Sequence, residues 1–204
     1  FRNLVLVGFM GSGKSSVGRV LSSLTGFALV DTDTLVAREA GQSIPVIFQK
    51  QGEEHFRALE TKVLQGLVGR IGLIVSTGGG VVVAEENRKL LPQIGPVVWL
   101  DASPEQLYQR VKHSNRPLLQ TADPRRTLEE LYAKREPLYA GAAAIRIDSA
   151  TLTHRQTAEA VLAQNRLQHP DKFGALLVDG RRVEIVDLGV DLGPDRMGEG
   201  TAIF

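Results

Sequence analysis

The sequence predicts a three-layer α/β/α fold: a parallel β-sheet with helices on both faces. Three observations carry that prediction. Short apolar runs alternate with helical segments along most of the 204 residues, and this alternation produces parallel strands joined by right-handed crossovers. The first run, Leu4-Val5-Leu6-Val7, is apolar throughout rather than at every second position, as in strands buried on both faces. Glycine- or aspartate-rich turns follow the first three runs, at 8–13, 31–33 and 78–80, at the sheet edge where ligands of open α/β sheets bind.

In order, residues 4–7 form the first strand, stopped by Gly8. Val17, Val20, Leu21 and Leu24 follow helical spacing, and Gly26 ends that helix. A second strand at 27–30 runs into Asp31-Thr32-Asp33, and a helix over 34–40 ends at Gly41. Residues 44–67 read as helix with a break near Gly52. A third strand spans 71–75, and a short helix over 85–91 stops before Pro92. The fourth strand is 97–100, with Trp99 expected in the core. Ser103 and Pro104 open the next helix as cap and first-turn residue. Residues 113–124 are polar, contain prolines and read as a loop able to act as a lid. Helix 128–139, strand 144–147 and helix 157–167 complete this part. After residue 169 the character changes. Runs at 175–178 and 182–186 flank Asp179-Gly180, a hairpin signature. The expected organisation is a core over 1–169 and a β-like extension over 170–204.

Net charge is +1, which gives no bulk electrostatic case for nucleic acid or acidic lipid. There is no cysteine, hence no disulfide or thiol chemistry, which suits the cytoplasm. No apolar run approaches the roughly 18 residues that span a membrane. The run at 4–7 is too short for a signal-peptide core, and the chain opens on Phe1 rather than Met, so native residues are expected to precede it.

Gly8-Phe9-Met10-Gly11-Ser12-Gly13-Lys14-Ser15 matches G-x-x-x-x-G-K-[ST], with the strand before it and the helix after it that the pattern requires. Glycines turn successive N–H groups inward as an anion cradle, and the helix adds its positive end. Lys14 is placed to reach the β- and γ-phosphates of ATP, and Ser15 to put its hydroxyl on Mg²⁺. The candidate ATP-binding residues are Gly11, Ser12, Gly13, Lys14, Ser15 and Ser16. The plainer reading is a glycine-rich turn with a surface lysine.

Asp31 and Asp33 stand at the carboxyl end of the second strand. Two apart in a strand-like segment, they point the same way. One can serve the metal and the other a substrate hydroxyl, although either can be a helix cap. Arg57 and Glu60 are three apart on a helix, a spacing that permits contact. Such pairs ordinarily lie on a solvated face, but the Arg57 fork can also clamp a carboxylate. Gly78-Gly79-Gly80 after a buried strand implies close backbone approach, whether to a ligand or within a tight connection. Arg116 lies in the candidate lid, from which an arginine can neutralise a transferred phosphoryl group. Arg135 ends a helix, where a cation also complements the dipole. The four histidines show no metal-ligand spacing.

Together and in this order, the loop at 8–15, Asp31-Thr32-Asp33, residues 52–60, Gly78-Gly79-Gly80, Arg116-Pro117-Leu118-Leu119 and Arg135-Glu136-Pro137-Leu138-Tyr139 resemble the shikimate kinases. The resemblance covers about residues 3–167. It implies a nucleoside-monophosphate-kinase-like fold with a five-stranded parallel sheet, a substrate-binding helical region and a lid. It implies transfer of the γ-phosphate of ATP to the 3-hydroxyl of shikimate, giving shikimate 3-phosphate and ADP. Lys14, Asp33 and Arg116 would be catalytic, with Asp33 orienting or deprotonating the hydroxyl. Arg57 and Arg135 would bind the carboxylate, Gly78, Gly79 and Gly80 would line the acceptor, and Glu60 would steady Arg57. Arg110 would stack by adenine, Arg116 would reach the phosphates, and Ser15 would take Mg²⁺ with Asp31 in its outer shell. Two other readings are a kinase of another small polyol acid, such as gluconate, and an ATP-binding module without catalysis.

Two features depart from the family. Asp148-Ser149-Ala150-Thr151 lacks the basic residues often found after the fifth strand, which leaves adenine contacts there open. Residues 170–204 have no counterpart. They can form a hairpin that covers a sheet edge or pairs with another subunit, or be disordered. A cytoplasmic monomer is the expectation, with an oligomer through this extension as the other reading.

Overall fold

The computed structural model describes residues 2–114, 117–168, 173–178 and 181–186, the last two stretches, Pro117 and residues 166–168 as backbone only. Five parallel strands form one sheet: β1 (Asn3–Val7), β2 (Ala28–Asp31), β3 (Leu73–Ser76), β4 (Val97–Asp101) and β5 (Ile145–Asp148), in the order β2-β3-β1-β4-β5. Helices α1 (Lys14–Thr25), α2 (Thr32–Ala40), α3 (Ile44–Gln65), α4 (Glu85–Ile94), α5 (Pro104–Val111), α6 (Pro124–Ala142) and α7 (His154–Gln168) make the connections. Two further strands, β6 (Phe173–Val178) and β7 (Arg181–Val186), pair antiparallel with Val178 opposite Arg181.

The pleat of β1 divides the core. Leu4 and Leu6 point to one face, where they meet Val17 and Leu21 of α1 and Ala158 and Val161 of α7. Val5 and Val7 point to the other, against Leu91, Leu107, Leu128 and Tyr139 from α4, α5 and α6. Trp99 is 1% exposed, stacked on Tyr139 at 5.8 Å between ring centres, with the Arg146 guanidinium 4.4 Å above its ring. A third cluster, Val36, Ile47 and Phe56, holds α2 against α3 beside the main body. The expected break falls at Gly52, whose φ of 81° is the left-handed conformation glycine adopts without strain.

Several element ends differ from the sequence reading, each for a local reason. Helix α4 continues past Pro92 to Ile94, because Leu91 and Ile94 are both buried and two residues beyond the proline remain worth packing. Helix α6 starts a turn early: the Asp123 carboxylate caps the Arg126 N–H, with Pro124 in the first turn. Helix α7 starts at His154 through a cap by Thr153, whose hydroxyl accepts from the Gln156 N–H while the Gln156 side chain accepts from the Thr153 N–H. Strand β3 begins at Leu73, and Ile71 is half exposed outside the sheet.

Asn3, 1% exposed, ties three elements together. Its amide donates to Arg70 O at 2.6 Å and Ile94 O at 2.8 Å, and its side-chain oxygen accepts from the Leu73 N–H at 2.9 Å. Asn3→Ala leaves these backbone groups without that partner in a dry place. It is expected to cost about 3 kcal/mol, read by urea denaturation.

Candidate active site

The carboxyl ends of β1, β2 and β3 open onto one edge of the sheet, and the site is built there. From Val7 the chain enters the 8–15 loop and continues directly into α1. Gly13 caps that helix with φ 90°, which turns the loop so that α1 points its N-terminus into the groove. Lys14 is only 8% exposed, with its ammonium donating to Gly8 O at 2.7 Å and Phe9 O at 3.0 Å. The Ser15 hydroxyl stands 3.4 Å from Asp31 Oδ2 and 3.4 Å from Ser76 Oγ. Hydroxyls and a carboxylate are the hard oxygen donors that a cation such as Mg²⁺ takes. Among the described residues there is no cluster of three or more His, Asp or Glu to hold a metal by itself. Ser12 is buried, with its carbonyl 3.4 Å from the Ser149 hydroxyl. Ser16, Arg110 and His154 also line this groove, whose volume is about 400 Å³. Arg110 donates to Gly11 O at 3.3 Å and Ser149 O at 3.0 Å.

The two aspartates do not form the expected strand-edge pair. Strand β2 ends at Asp31 and α2 begins at Thr32, so the two carboxylates do not share a strand face. Asp31 is the cap of α2, its Oδ1 accepting from the Thr34 N–H at 3.1 Å, while Oδ2 faces Ser15. Asp33 sits in the first helical turn and lines both the loop groove and a second pocket beyond it.

That second pocket, about 150 Å³, is walled by Asp33, Arg57, Glu60, Gly78, Gly79, Gly80 and Arg135, with Phe48 and Phe56 as its apolar side. The glycines are required for space. A Cβ on Gly78 would lie 2.5 Å from Asp33 Oδ1, and one on Gly80 would lie 2.4 Å from an Arg57 nitrogen. The carbonyl of Gly79 accepts from Arg135 at 3.3 Å and from the Tyr139 hydroxyl. Arg135 is 7% exposed and lies 5.7 Å above the Phe9 ring. Burial pushes the Tyr139 phenol well above its ordinary value, so it remains a donor.

Arg57 is not on a solvated face: its side chain is 15% exposed and binds Glu53 at 2.8 Å and Glu60 at 2.9 Å. The Glu60 side chain is fully buried. Burial pushes its carboxyl up to about 7 against the opposing pull of Arg57. Arg116 lies outside the described residues.

Sequence reasoning missed four contributors. Asn87, 0% exposed on α4, donates to Glu60 Oε2 at 3.2 Å and accepts from the Thr61 hydroxyl. Thr32 accepts from the Gly78 N–H at 3.1 Å and so fixes the glycine wall. Tyr139 stood only as the last residue of a quoted segment. The ring of His154 lies beside Gly13, 3.7 Å from where its Cβ would be. The sequence pattern places the helix only from residue 157, and it is the cap at Thr153 that starts α7 at His154 and brings the ring there.

Residues 10–166 match the family model described as shikimate kinase. This chain belongs to the shikimate kinase family. The shikimate kinase of Parasynechococcus marenigrum is 52% identical over 143 residues, covering 69% of this chain and 74% of that protein. The shikimate kinase of Cupriavidus pinatubonensis is 45% identical over 163 residues, covering 79% and 85% respectively. Among solved structures, the Acinetobacter baumannii shikimate kinase in complex with shikimate superposes with a TM-score of 0.79 at 39% identity, over 83% of this chain and 95% of that one. The Aquifex aeolicus shikimate kinase gives a TM-score of 0.70 at 31% identity, over 83% and 99%. The shared architecture is a five-stranded parallel sheet with helices on both faces.

The buried carboxyl makes this kinase's stability depend on pH. Folded Glu60 holds its proton more tightly than the unfolded chain does, so the folded state carries the extra proton between the ordinary carboxylate range and about pH 7. Stability is expected to be highest below that window and to fall as pH rises through it, by on the order of 3 kcal/mol. Urea titrations at about pH 5 and about pH 7.5 should show the fall in the native chain and a flatter profile in Glu60→Gln.

Proposed function

We propose that this chain transfers the γ-phosphate of ATP to the 3-hydroxyl of shikimate. The observation that carries the reading is Asp33, which lines both the loop groove and the arginine pocket. A phosphoryl donor in the first and an acceptor in the second meet at that carboxylate. The acceptor pocket supports a small anion with hydroxyls: two arginine guanidiniums for a carboxylate, an aspartate for a hydroxyl, and backbone carbonyl and N–H groups between them.

In this reading the phosphates lie on the N–H groups of Gly11, Ser12 and Gly13, with Ser15 and Ser16 at the start of α1. Lys14 exchanges its loop carbonyls for the β- and γ-phosphate oxygens. Ser15 would hold Mg²⁺ with Asp31 in the outer shell, and Arg110 would lie by the base. The ion, when bound, neutralises charge on the phosphate oxygens. Arg57 and Arg135 bind the shikimate carboxylate and turn the 3-hydroxyl toward Asp33. The hydroxyl oxygen attacks the γ-phosphorus, the bond from that phosphorus to the β–γ bridging oxygen breaks, the hydroxyl proton passes to the Asp33 carboxylate, and ADP leaves. Such transfer rests on positioning and charge neutralisation, so a weak base suffices. Arg116 supplies a further positive charge to the transferred group in this scheme.

The catalytic unit is residues 1–169, working as a cytoplasmic monomer without nucleic acid or membrane as partner. Among the described residues no helix is long and apolar enough to cross a membrane.

A coupled assay of ADP release with saturating MgATP tests the reaction; no shikimate-dependent turnover would contradict it. Arg57→Ala is expected to raise KM for shikimate by about a hundredfold, the loss of a charged hydrogen-bonded contact, with KM for ATP within about twofold. Equal loss of both substrates would remove Arg57 from the acceptor site. A chain ending at residue 169 is expected to keep full turnover, measured in the same assay.

A further inference from the structure

We propose that Glu60 is a proton-holding positioning residue: protonated at Oε1 it leaves the Arg57 charge to the substrate carboxylate, and ionised it competes for Arg57. The inference rests on the shikimate reading above, because it needs an anion at Arg57.

The two oxygens of Glu60 are treated differently. Both neutral and cationic donors converge on Oε2, from Arg57 at 2.9 Å and Asn87 at 3.2 Å. Oε1 is buried and has no hydrogen-bond partner among the described residues. It points to Gly78, 3.2 Å from where a Cβ would stand, and Asp33 Oδ1 lies 2.5 Å from the same point on the acidic side. Two carboxylates thus lie close together beside a residue with no side chain. In a dry site a proton on one of them relieves both the repulsion and the desolvation. Oε1 is the oxygen that no donor occupies.

The charged and titratable groups facing Glu60 are Arg57 and Glu53 on α3, Asp33 on α2, and Arg135 and Tyr139 on α6; α4 contributes the neutral Asn87. The two arginines favour the ionised form, while Asp33 and burial oppose it, and the balance puts the carboxyl near neutrality. An incoming carboxylate at Arg57 and Arg135 adds negative charge and screens the cations that hold Glu60 ionised. Substrate binding therefore takes up a proton at Glu60. Deprotonation of Glu60 weakens the clamp without touching the atoms that react.

This separates Glu60 from Asp33 in kinetics. Loss of the proton from Glu60 appears in KM for shikimate, because Glu60 acts on the clamp and not on the reacting atoms. Between about pH 6 and pH 8 the native enzyme is expected to show KM for shikimate rising about fivefold. Glu60→Gln, which cannot ionise, should keep a KM that does not change with pH. The methyl ester of shikimate, lacking the charge, should give a flat KM in the native enzyme. Should Glu60→Gln not fold, calorimetry of the native enzyme with shikimate near pH 7.5, in two buffers of different ionisation enthalpy, gives the answer directly. Fractional proton uptake is expected there, and none overturns the inference. A flat native KM, or the same slope in Glu60→Gln, also overturns it while leaving the kinase reading intact. No shikimate turnover at any pH overturns both.

Discussion

The site depends on one constraint: the chain leaving β3 must be wall, not filler. Gly78 and Gly80 stand where any side chain would enter Asp33 or Arg57. Only bare backbone lets an acid from α2 and a base from α3 approach from the two sides. The same segment supplies its own polar edge, since the Gly79 carbonyl receives Arg135 and Tyr139 and the Gly78 N–H is held by Thr32. Helices α2, α3 and α6 are thereby referenced to one short stretch of main chain. It is also the sheet-side boundary between the loop groove and the arginine pocket.

Burying this much charge is costly unless every member is compensated. Arg57 rests on Glu60 and Glu53, Glu60 on Arg57 and Asn87, and Arg135 on a carbonyl and an aromatic face. The compensation is strong for the cations and incomplete for Glu60. Imperfect pairing of this kind leaves a group near neutral pH free to respond to a ligand.

Much of this was legible in the sequence, because much of it is local. The phosphate loop announces itself by glycine spacing, and its strand-loop-helix setting follows from the flanking apolar pattern. Alternation of runs gave the parallel sheet, and Gly52 marked a real break. What could not be read depends on packing across the chain. The spacing of Arg57 and Glu60 is that of a surface pair, and only α4, through Asn87, makes it a buried one. Asp31 and Asp33 looked like a strand-edge pair because the helix start at Thr32 carries no local signal beyond the cap. Asn3, one residue before the apolar run, carries no local signal, and its hydrogen bonds reach residues 70, 73 and 94. Helix ends shifted where a cap (Asp123, Thr153) or a buried residue beyond a proline (Ile94) outweighed the breaker rule.

The single tryptophan gives the fold an internal observer. Trp99 stacks on Tyr139, and the hydroxyl of Tyr139 ends on the carbonyl of Gly79, beside Arg135. The indole is thus one ring away from the acceptor wall while being shielded from solvent. The Arg146 guanidinium also lies over the indole, and its ion pair to Asp101 gathers Tyr132. Any displacement of Tyr139 or Gly79 would change the field at the indole, so the emission of an unlabelled chain would report on a pocket wall that the fluorophore never touches.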